Sequence, residues 1–326
     1  HNLEHLRQLC ALNTMVGTAP ANTKTAGLFG KGSEEHGQTL PAVLSPNGQN
    51  FWTPQTRDTE KKCVAPYYYT DSLLQGFRNS HWIVGGCTQD YGSFTIAALG
   101  GVLRLEPTAR ATRFSHNEEI SHPHYYAVRL PDEHLKVEMT GSSHAAVFRI
   151  TPEQDGPVHI VINHNSDEGE GVLELDTINR TIYGYNPVHR IYQGWGEPAG
   201  FSGHLVLSYT DEIEDYGKDS TCVWLTFRSK AHQPIILKAA SSFTSREGAE
   251  RNLEAEDAPF ETMMARTADQ WIARLHTIDV EDPDSARVNQ FYGALYRTSF
   301  LPREMSDVDG RYPRFASGTS MSSSAS

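Results

Sequence analysis

TCVWLTF, Thr221 to Phe227, is the stretch on which the fold turns. Val223, Leu225 and Phe227 share one face, while Cys222, Trp224 and Thr226 share the other. Such a period of two belongs to a strand, whose successive side chains point to opposite sides. Eight further runs read the same way: FTIAALGGVLRL, YYAVRL, LKVEMT, AAVFRI, VHIVIN, GVLELD, HLVLSYT and PIILKAA. All are rich in β-branched or aromatic residues, and Gly, Pro, Asp and Ser separate them. A parallel sheet needs crossover helices, and no amphipathic helix stands between these runs. Nine short runs at close spacing predict a mainly β protein, an antiparallel β-sandwich.

The pattern weakens on both sides of this block. Residues 1 to about 60 are irregular, with Gly, Pro, Asn and Thr throughout; an ordered stretch of this kind carries function or wraps a neighbour. After about residue 246 the period becomes helical. SREGAERNLEAE is charged, and FETMMARTADQWIARL then places Phe260, Met264, Trp271, Ile272 and Leu275 at helical spacing. Asp282-Pro283 reads as an N-cap with proline at the first helical position. Val288, Phe291, Tyr292, Leu295 and Tyr296 form a second stripe, which Pro302 would stop. The expected division is a sandwich domain over 1–245, a helical linker over 246–284 and the start of a helical domain over 285–326.

Length and charge narrow the function. The chain has 326 residues, enough for about two domains at roughly 100–200 residues each. A formal net charge of -12 without a basic stripe argues against a nucleic-acid partner. No apolar run approaches the ~20 residues of a membrane span. The chain opens HNLEHLRQLC, without a Met or a charged-then-apolar leader, so export is not read from it. Cys10, Cys63, Cys87 and Cys222 show no CxxC spacing; two disulfides and four buried thiols are both open. Asn179-Arg180-Thr181 is a glycosylation sequon.

The densest chemistry lies in HWIVGGCTQDYGSF, His81 to Phe94. A Gly-Gly pair suits neither strand nor helix, so this is a loop that brings backbone close to something. His81 and Asp90 suit polar ligand groups, and Trp82 suits the apolar face of a sugar ring. The alternative is a packed loop whose Trp plugs a core and whose Asp caps a turn, with Cys87 an inert thiol. FSHNEEISHPHYY gathers His116, His122 and His124 with Glu118 and Glu119, in no zinc-like spacing, and reads as a polar excursion between strands. Trp195 and Glu197 in NPVHRIYQGWGEPAGFSG suit carbohydrate or a helical neighbour equally. SDVDGRY sets Asp307 and Asp309 before a Gly, as at the start of an EF-hand loop, but the later ligands are missing and a tight Asp-Gly turn is the plainer reading.

Taken in order, these segments resemble the N-terminal part of glycoside hydrolase family 92. VGT (Val16–Thr18) with GSEEHGQTLPAVLSPNG (Gly32–Gly48) resembles the family's Gly-His-Thr-x-Pro-Gly opening, with Gln38 and Ala42 replacing the commoner residues. YYYTDSLLQGFRNSHWIVGGCTQDYG resembles its Gly-Phe-Ser-His…Gly-x-Gly-Cys…Asp-Tyr-Gly stretch, departing at His81-Trp82. FSHNEE, HYYAVRL, LKVEMTGSSHAAVFRI, IYGYN and VNQFYGALYRTSFLPREMSDVDGRY follow in the family's order.

The resemblance implies a β-sandwich packed on an (α/α)6 barrel, here truncated. It implies an inverting exo-α-mannosidase that needs Ca2+ and acts on mannose-containing glycans or oligosaccharides outside the cytoplasm: secreted, periplasmic or at the cell surface. His81, Trp82, Cys87 and Asp90 would line the sugar pocket, and Asp307 and Asp309 would hold hydroxyls of the terminal mannose. An inverting glycosidase needs two carboxyl groups, one as acid and one as base. In the family both, with most calcium ligands, belong to the barrel that follows, so the resemblance assigns no catalytic residue or metal ligand here and makes that catalytic domain the sandwich's partner. The alternatives are a non-catalytic carbohydrate-binding sandwich and an enzyme of this architecture directed at another glycosidic bond.

Overall fold

The computed structural model describes residues 3–24, 36–57, 64–86, 89–166, 169–189 and 198–314, and the backbone of 321–323. In chain order its strands are β1 (Phe51–Gln55), β2 (Leu73–Leu74), β3 (Gly76–Ser80), β4 (Phe94–Gly100), β5 (Thr112–Arg113), β6 (Glu119–His122), β7 (Tyr125–Leu130) and β8 (Leu135–Gly141). They continue with β9 (Ala145–Pro152), β10 (Gly156–His164), β11 (Val172–Asp176), β12 (Thr181–His189), β13 (Pro198–Tyr209), β14 (Asp215–Lys218), β15 (Cys222–Ser229) and β16 (Ile235–Ser242). A six-stranded sheet, ordered β1-β3-β4-β10-β15-β14, faces an eight-stranded one, ordered β11-β12-β13-β16-β9-β8-β7-β6. Each ladder is antiparallel, as in the central pairs of β10 with β15 and of β16 with β9.

Alternation decides which side each residue serves. Val223, Leu225 and Phe227 of β15 enter the core between the sheets with Val158, Ile160 and Ile162 of β10, while Cys222 and Trp224 pack outside with Val161. All nine runs contribute strands. The tail GVLRL of the first does not: Gly101 takes φ +72, and Leu103 and Leu105 fold back onto the outer face beside Ala97 and Leu99.

Sequence reading passes over β1, β2, β3, β5, β6, β12 and β14. β1 contains Pro54, which a sheet tolerates here because β1 is an edge strand. β12 is interrupted by Gly184 and Pro187. A Cβ on Gly184 would stand 2.4 Å from the Phe94 ring, so the glycine leaves space for that ring across the sandwich, and the register shifts between Pro187 and His189.

Helices cover the outer face of the larger sheet. Phe260 and Met263 of helix Phe260–Leu275 pack on Ala145, Val147 and Ala240. Helix Arg246–Glu256, N-capped by Ser245, lies along β16 and β13. The last helix, Ser285–Thr298, is capped by Asp284, whose side chain accepts from the Ala286 N–H at 2.9 Å. This corrects the expected Asp282-Pro283 start by two residues: Asp282 accepts from the Asp284 N–H and forms the turn before the cap.

The helical stripes meet the N-terminal segment. Trp271, Ile272, Leu275, Tyr292 and Tyr296 form one cluster with Leu9, Leu12, Leu40, Ala42, Leu44 and Phe51. Trp271 Nε1 donates to the Leu44 carbonyl at 2.6 Å, and the Tyr296 hydroxyl to that of Ala42 at 2.7 Å. The irregular first segment therefore wraps the helices. Trp271→Ala is expected to lower the unfolding free energy by about 3–5 kcal/mol, whereas Ile178→Ala, at a site 91% exposed, should change it by no more than about 0.5 kcal/mol in the same urea titration.

Candidate functional site

The loop between β3 and β4 is built on a buried ion pair. Arg78, inside β3, donates through Nε to Asp90 Oδ2 at 2.8 Å and through Nη2 to Ser93 Oγ at 2.8 Å. Asp90 also accepts from Ser80 Oγ (2.9 Å) and from the backbone N–H groups of His81 and Tyr91 (each 2.8 Å). Burial pushes its carboxyl up, but Arg78 and the surrounding donors outweigh burial and hold it below the usual carboxylate range. A buried charge pair is tolerable because its lone pairs are filled this way. Gly92 completes the loop at φ +59, its backbone so close to Gly203 that a Cβ on Gly203 would lie 2.0 Å from the Gly92 carbonyl oxygen.

His81 is buried and neutral. Its Nδ1 lies 2.7 Å from the Tyr91 carbonyl, which only accepts, so Nδ1 carries the proton and Nε2 offers a lone pair. Burial and then Arg303 lower its pKa to about 3. The ring stacks on Tyr91 and meets Phe243 at a tilt, and Nε2 is buried with no partner among the described residues. Trp82 is 0% exposed and sits among the helical cluster, its Nε1–H likewise buried without a partner among the described residues. Its ring is thus packed inside and does not face solvent. Cys87 lies outside the described residues, as do Cys63, Trp195 and Glu197. Cys10 is exposed and Cys222 buried, so they are not paired with each other.

Asp307 reaches this region from the other side of the seam. Arg303 donates to the carbonyls of His81 (2.8 Å) and Trp82 (3.3 Å) and to the Tyr91 hydroxyl (2.6 Å), holding the segment after the last helix against the loop. Asp307 is buried, and its carboxylate accepts from Ser242 Oγ (2.9 Å), Thr244 Oγ1 and Asn252 Nδ2 (2.9 Å). In this structure these lone pairs meet protein donors. Asp309 is half-buried beside Arg251 at 3.1 Å. The Gly310 N–H donates to the Asp307 carbonyl at 2.9 Å, making the tight Asp-Gly turn.

Sequence reading missed Arg78, His144, Asn252, Glu256 and Arg303, which position the site. Asn252 donates to Asp307 and to the Ser241 carbonyl (2.8 Å) and accepts from the Val308 N–H (3.0 Å). His144, in the β8–β9 turn, gives Nδ1 to Glu256 and Nε2 to the Ser306 carbonyl at 2.7 Å. Both partners are acceptors, so both nitrogens carry protons and the ring is an imidazolium. Burial opposes that charge, but Glu256 and then the Ser306 carbonyl raise the His144 pKa above its ordinary value. A cavity of about 550 Å³ opens beside this pair, lined among others by Ser45, Ser143, Arg266, Gln270 and Arg274. In the histidine-rich stretch, His116 meets Glu119 (2.8 Å) and the Tyr69 carbonyl (2.6 Å), while His122 and His124 stack.

Calcium takes six to eight oxygen ligands. Among the described residues, the one group of three His, Cys, Asp or Glu side chains close enough to share an ion is His5, His276 and Asp279. Two nitrogens and one carboxylate do not fit that preference.

A family model described as the glycosyl hydrolase family 92 N-terminal domain matches residues 30–242, and one described as the family's catalytic domain matches 248–324. Among solved structures, the chain is similar to a family 92 inverting mannosidase from Bacteroides thetaiotaomicron, with a TM-score of 0.80 and 27% identity over 97% of this chain and 42% of that one. It is also similar to a family 92 α-mannosidase from the same organism, with a TM-score of 0.76 and 22% identity over 94% of this chain and 42% of that one. At the latter identity the likeness speaks to the fold alone. The chain spans 42% of the length of each of these structures. No curated protein matches it.

The His144 pair carries a pH dependence of definite sign. A folded pKa above the unfolded value of 6.5 contributes stability fully present below 6.5 and lost as pH rises through the raised folded pKa. His144→Gln should therefore cost about 1–3 kcal/mol near pH 6 and less near pH 9, read from urea unfolding at each pH. An equal cost at both would show that the second N–H does not hold Ser306.

Proposed function

The chain belongs to glycosyl hydrolase family 92, and on that premise we propose that it forms the sandwich and the barrel entry of an inverting, calcium-dependent exo-α-mannosidase. The observation that carries this reading is the 27% identity to an inverting mannosidase, spread over 97% of the chain. The substrate is a glycan or oligosaccharide capped by mannose, met outside the cytoplasm. No helix among the described residues is long and apolar enough to cross a membrane. The general acid and base, the calcium ligands and the rest of the barrel belong to residues other than those described.

Within this reading the loop from His81 to Asp90, with Cys87, forms one wall of the sugar pocket, and Asp307 and Asp309 approach from the opposite side. What supports this is the unfilled acceptor of His81 in that loop. Buried polar atoms are nearly always hydrogen-bonded; His81 Nε2 is an acceptor that a sugar hydroxyl can answer, while Trp82, packed in the helical cluster, backs the loop from inside. Asp90 orients His81 through its backbone. Asp307 sets the position of Asp309, whose carboxylate is the more open of the two.

The first test is hydrolysis by the full-length polypeptide of a panel of aryl glycosides and mannose-capped oligosaccharides, with the product followed by proton NMR. The expected result is release from α-mannosides alone, with β-mannose as the first product, abolished by chelation and restored by Ca2+. Sugar binding without hydrolysis would support a carbohydrate-binding sandwich instead, and release from another glycoside would redirect the substrate. A second test is His81→Phe, which keeps an aromatic ring in place and removes both the Nε2 acceptor and the Nδ1–H donated to the Tyr91 carbonyl, with the unfolding temperature measured beside the rate to separate the two losses. It should lower kcat/KM by about tenfold or more, the equivalent of a 1–3 kcal/mol hydrogen bond. With a pKa near 3, His81 should contribute no ionisation to the wild-type rate profile near neutrality.

A further inference from the structure

The N-terminal helix, Leu3–Ala11, docks on the far end of the helical cluster, with Leu9 beside Trp271 and Leu275. His5 lies four residues before Leu9, on the same face of the helix. It meets His276, the residue that ends helix Phe260–Leu275, with rings stacked at 3.7 Å and 14°. His276 Nδ1 is 2.7 Å from Asp279 Oδ1, and one donor atom from each of the three side chains lies within 4.8 Å of the others.

The turn that carries two of these groups is held in place before any ion arrives. The His276 N–H donates to the Ile272 carbonyl at 3.0 Å, and Tyr292, whose ring packs on His276, accepts from the Val280 N–H at 3.2 Å. The His276 side chain is 11% exposed and that of Asp279 74%, so one flank is sheltered and the other open to solvent. Two imidazoles and a carboxylate suit zinc and its neighbours.

We propose that His5, His276 and Asp279 bind one divalent transition-metal ion of the zinc class, with water completing the shell. The ion clips the N-terminal helix to the helical core. An ion lies in the plane of each ring that binds it, and these rings are nearly parallel. His5, on the shorter outer helix, therefore turns about its Cβ–Cγ bond to direct a nitrogen at the ion. The protons that the metal replaces leave to solvent. The proposal does not depend on which glycosidic bond the protein cleaves.

The test uses the full-length protein without a polyhistidine tag, stripped with EDTA, dialysed and titrated with ZnCl2 by calorimetry. Wild type should show a Zn2+-binding step that His5→Ala and Asp279→Asn each weaken by about tenfold or more. Zn2+ should also raise the unfolding temperature of wild type more than that of either variant, since a ligand that binds only the folded state stabilises it. His5 is half-buried against His276 and Asp279 is hydrogen-bonded to it, so each variant's Zn2+-induced shift is read against its own metal-free unfolding temperature. Should His5→Ala fail to fold, Asp279→Asn decides alone. Absence of Zn2+ binding, or binding that the variants leave unchanged, overturns the proposal.

Discussion

One short segment belongs to two cores at once, and the rest of the architecture depends on it. Val43 enters the core between the sheets, while Leu40, Ala42 and Leu44 enter the helical cluster. Val43 exchanges hydrogen bonds with Trp52 across an isolated bridge, at 2.9 and 3.1 Å. β1 then repeats the division, with Trp52 turned into the sandwich and Phe51 into the helices. A strand-like period of two lets one chain feed both sides. The backbone carbonyls of this strap are also the acceptors for Trp271 and Tyr296, so apolar burial and hydrogen bonding fix the helices to the sandwich along the same line.

The seam made in this way brings distant residues together. The loop after β3, the β8–β9 turn, the end of β16 and the segment after the last helix converge there, and charge fixes the convergence. Arg78 and Asp90 hold the loop from inside, Arg303 ties it to the helical side, and the His144–Glu256 pair carries the carbonyl of Ser306. Two buried histidines show how partners decide protonation. Burial, and then Arg303, hold His81 neutral against the pull of Asp90; His144, facing two acceptors, has its charged form favoured despite burial. A neutral imidazole with a free lone pair suits ligand contact, and a charged one filled on both sides suits fastening.

This arrangement also explains why the aspartates of SDVDGRY differ although they stand two apart. Asp307 points inward, where Ser242, Thr244 and Asn252 take its oxygens, while Asp309 points toward the half-open surface beside Arg251. Both stand in the turn from Asp307 to Gly310, closed by the Gly310 N–H on the Asp307 carbonyl, with Gly310 at φ +86. The proposed glycan contacts follow from the same asymmetry.

The sequence by itself determined the sandwich, its strands of regular alternation and the two helical stripes, because apolar periodicity is written locally along each element. The family's ordered motifs were equally legible and located the His81 loop and Asp307. Less legible were β1 and β12, where Pro54, Gly184 and Pro187 break the local pattern for reasons that lie across the sheet. Only the tertiary structure decided that Trp82 is packed inside, that Asp307 is filled by protein donors, and that Arg78, His144, Asn252 and Arg303 brace the candidate site. The reason is physical. Burial and charge pairing are properties of neighbours far apart in the chain, as with His144 and Ser306, and no local period records them.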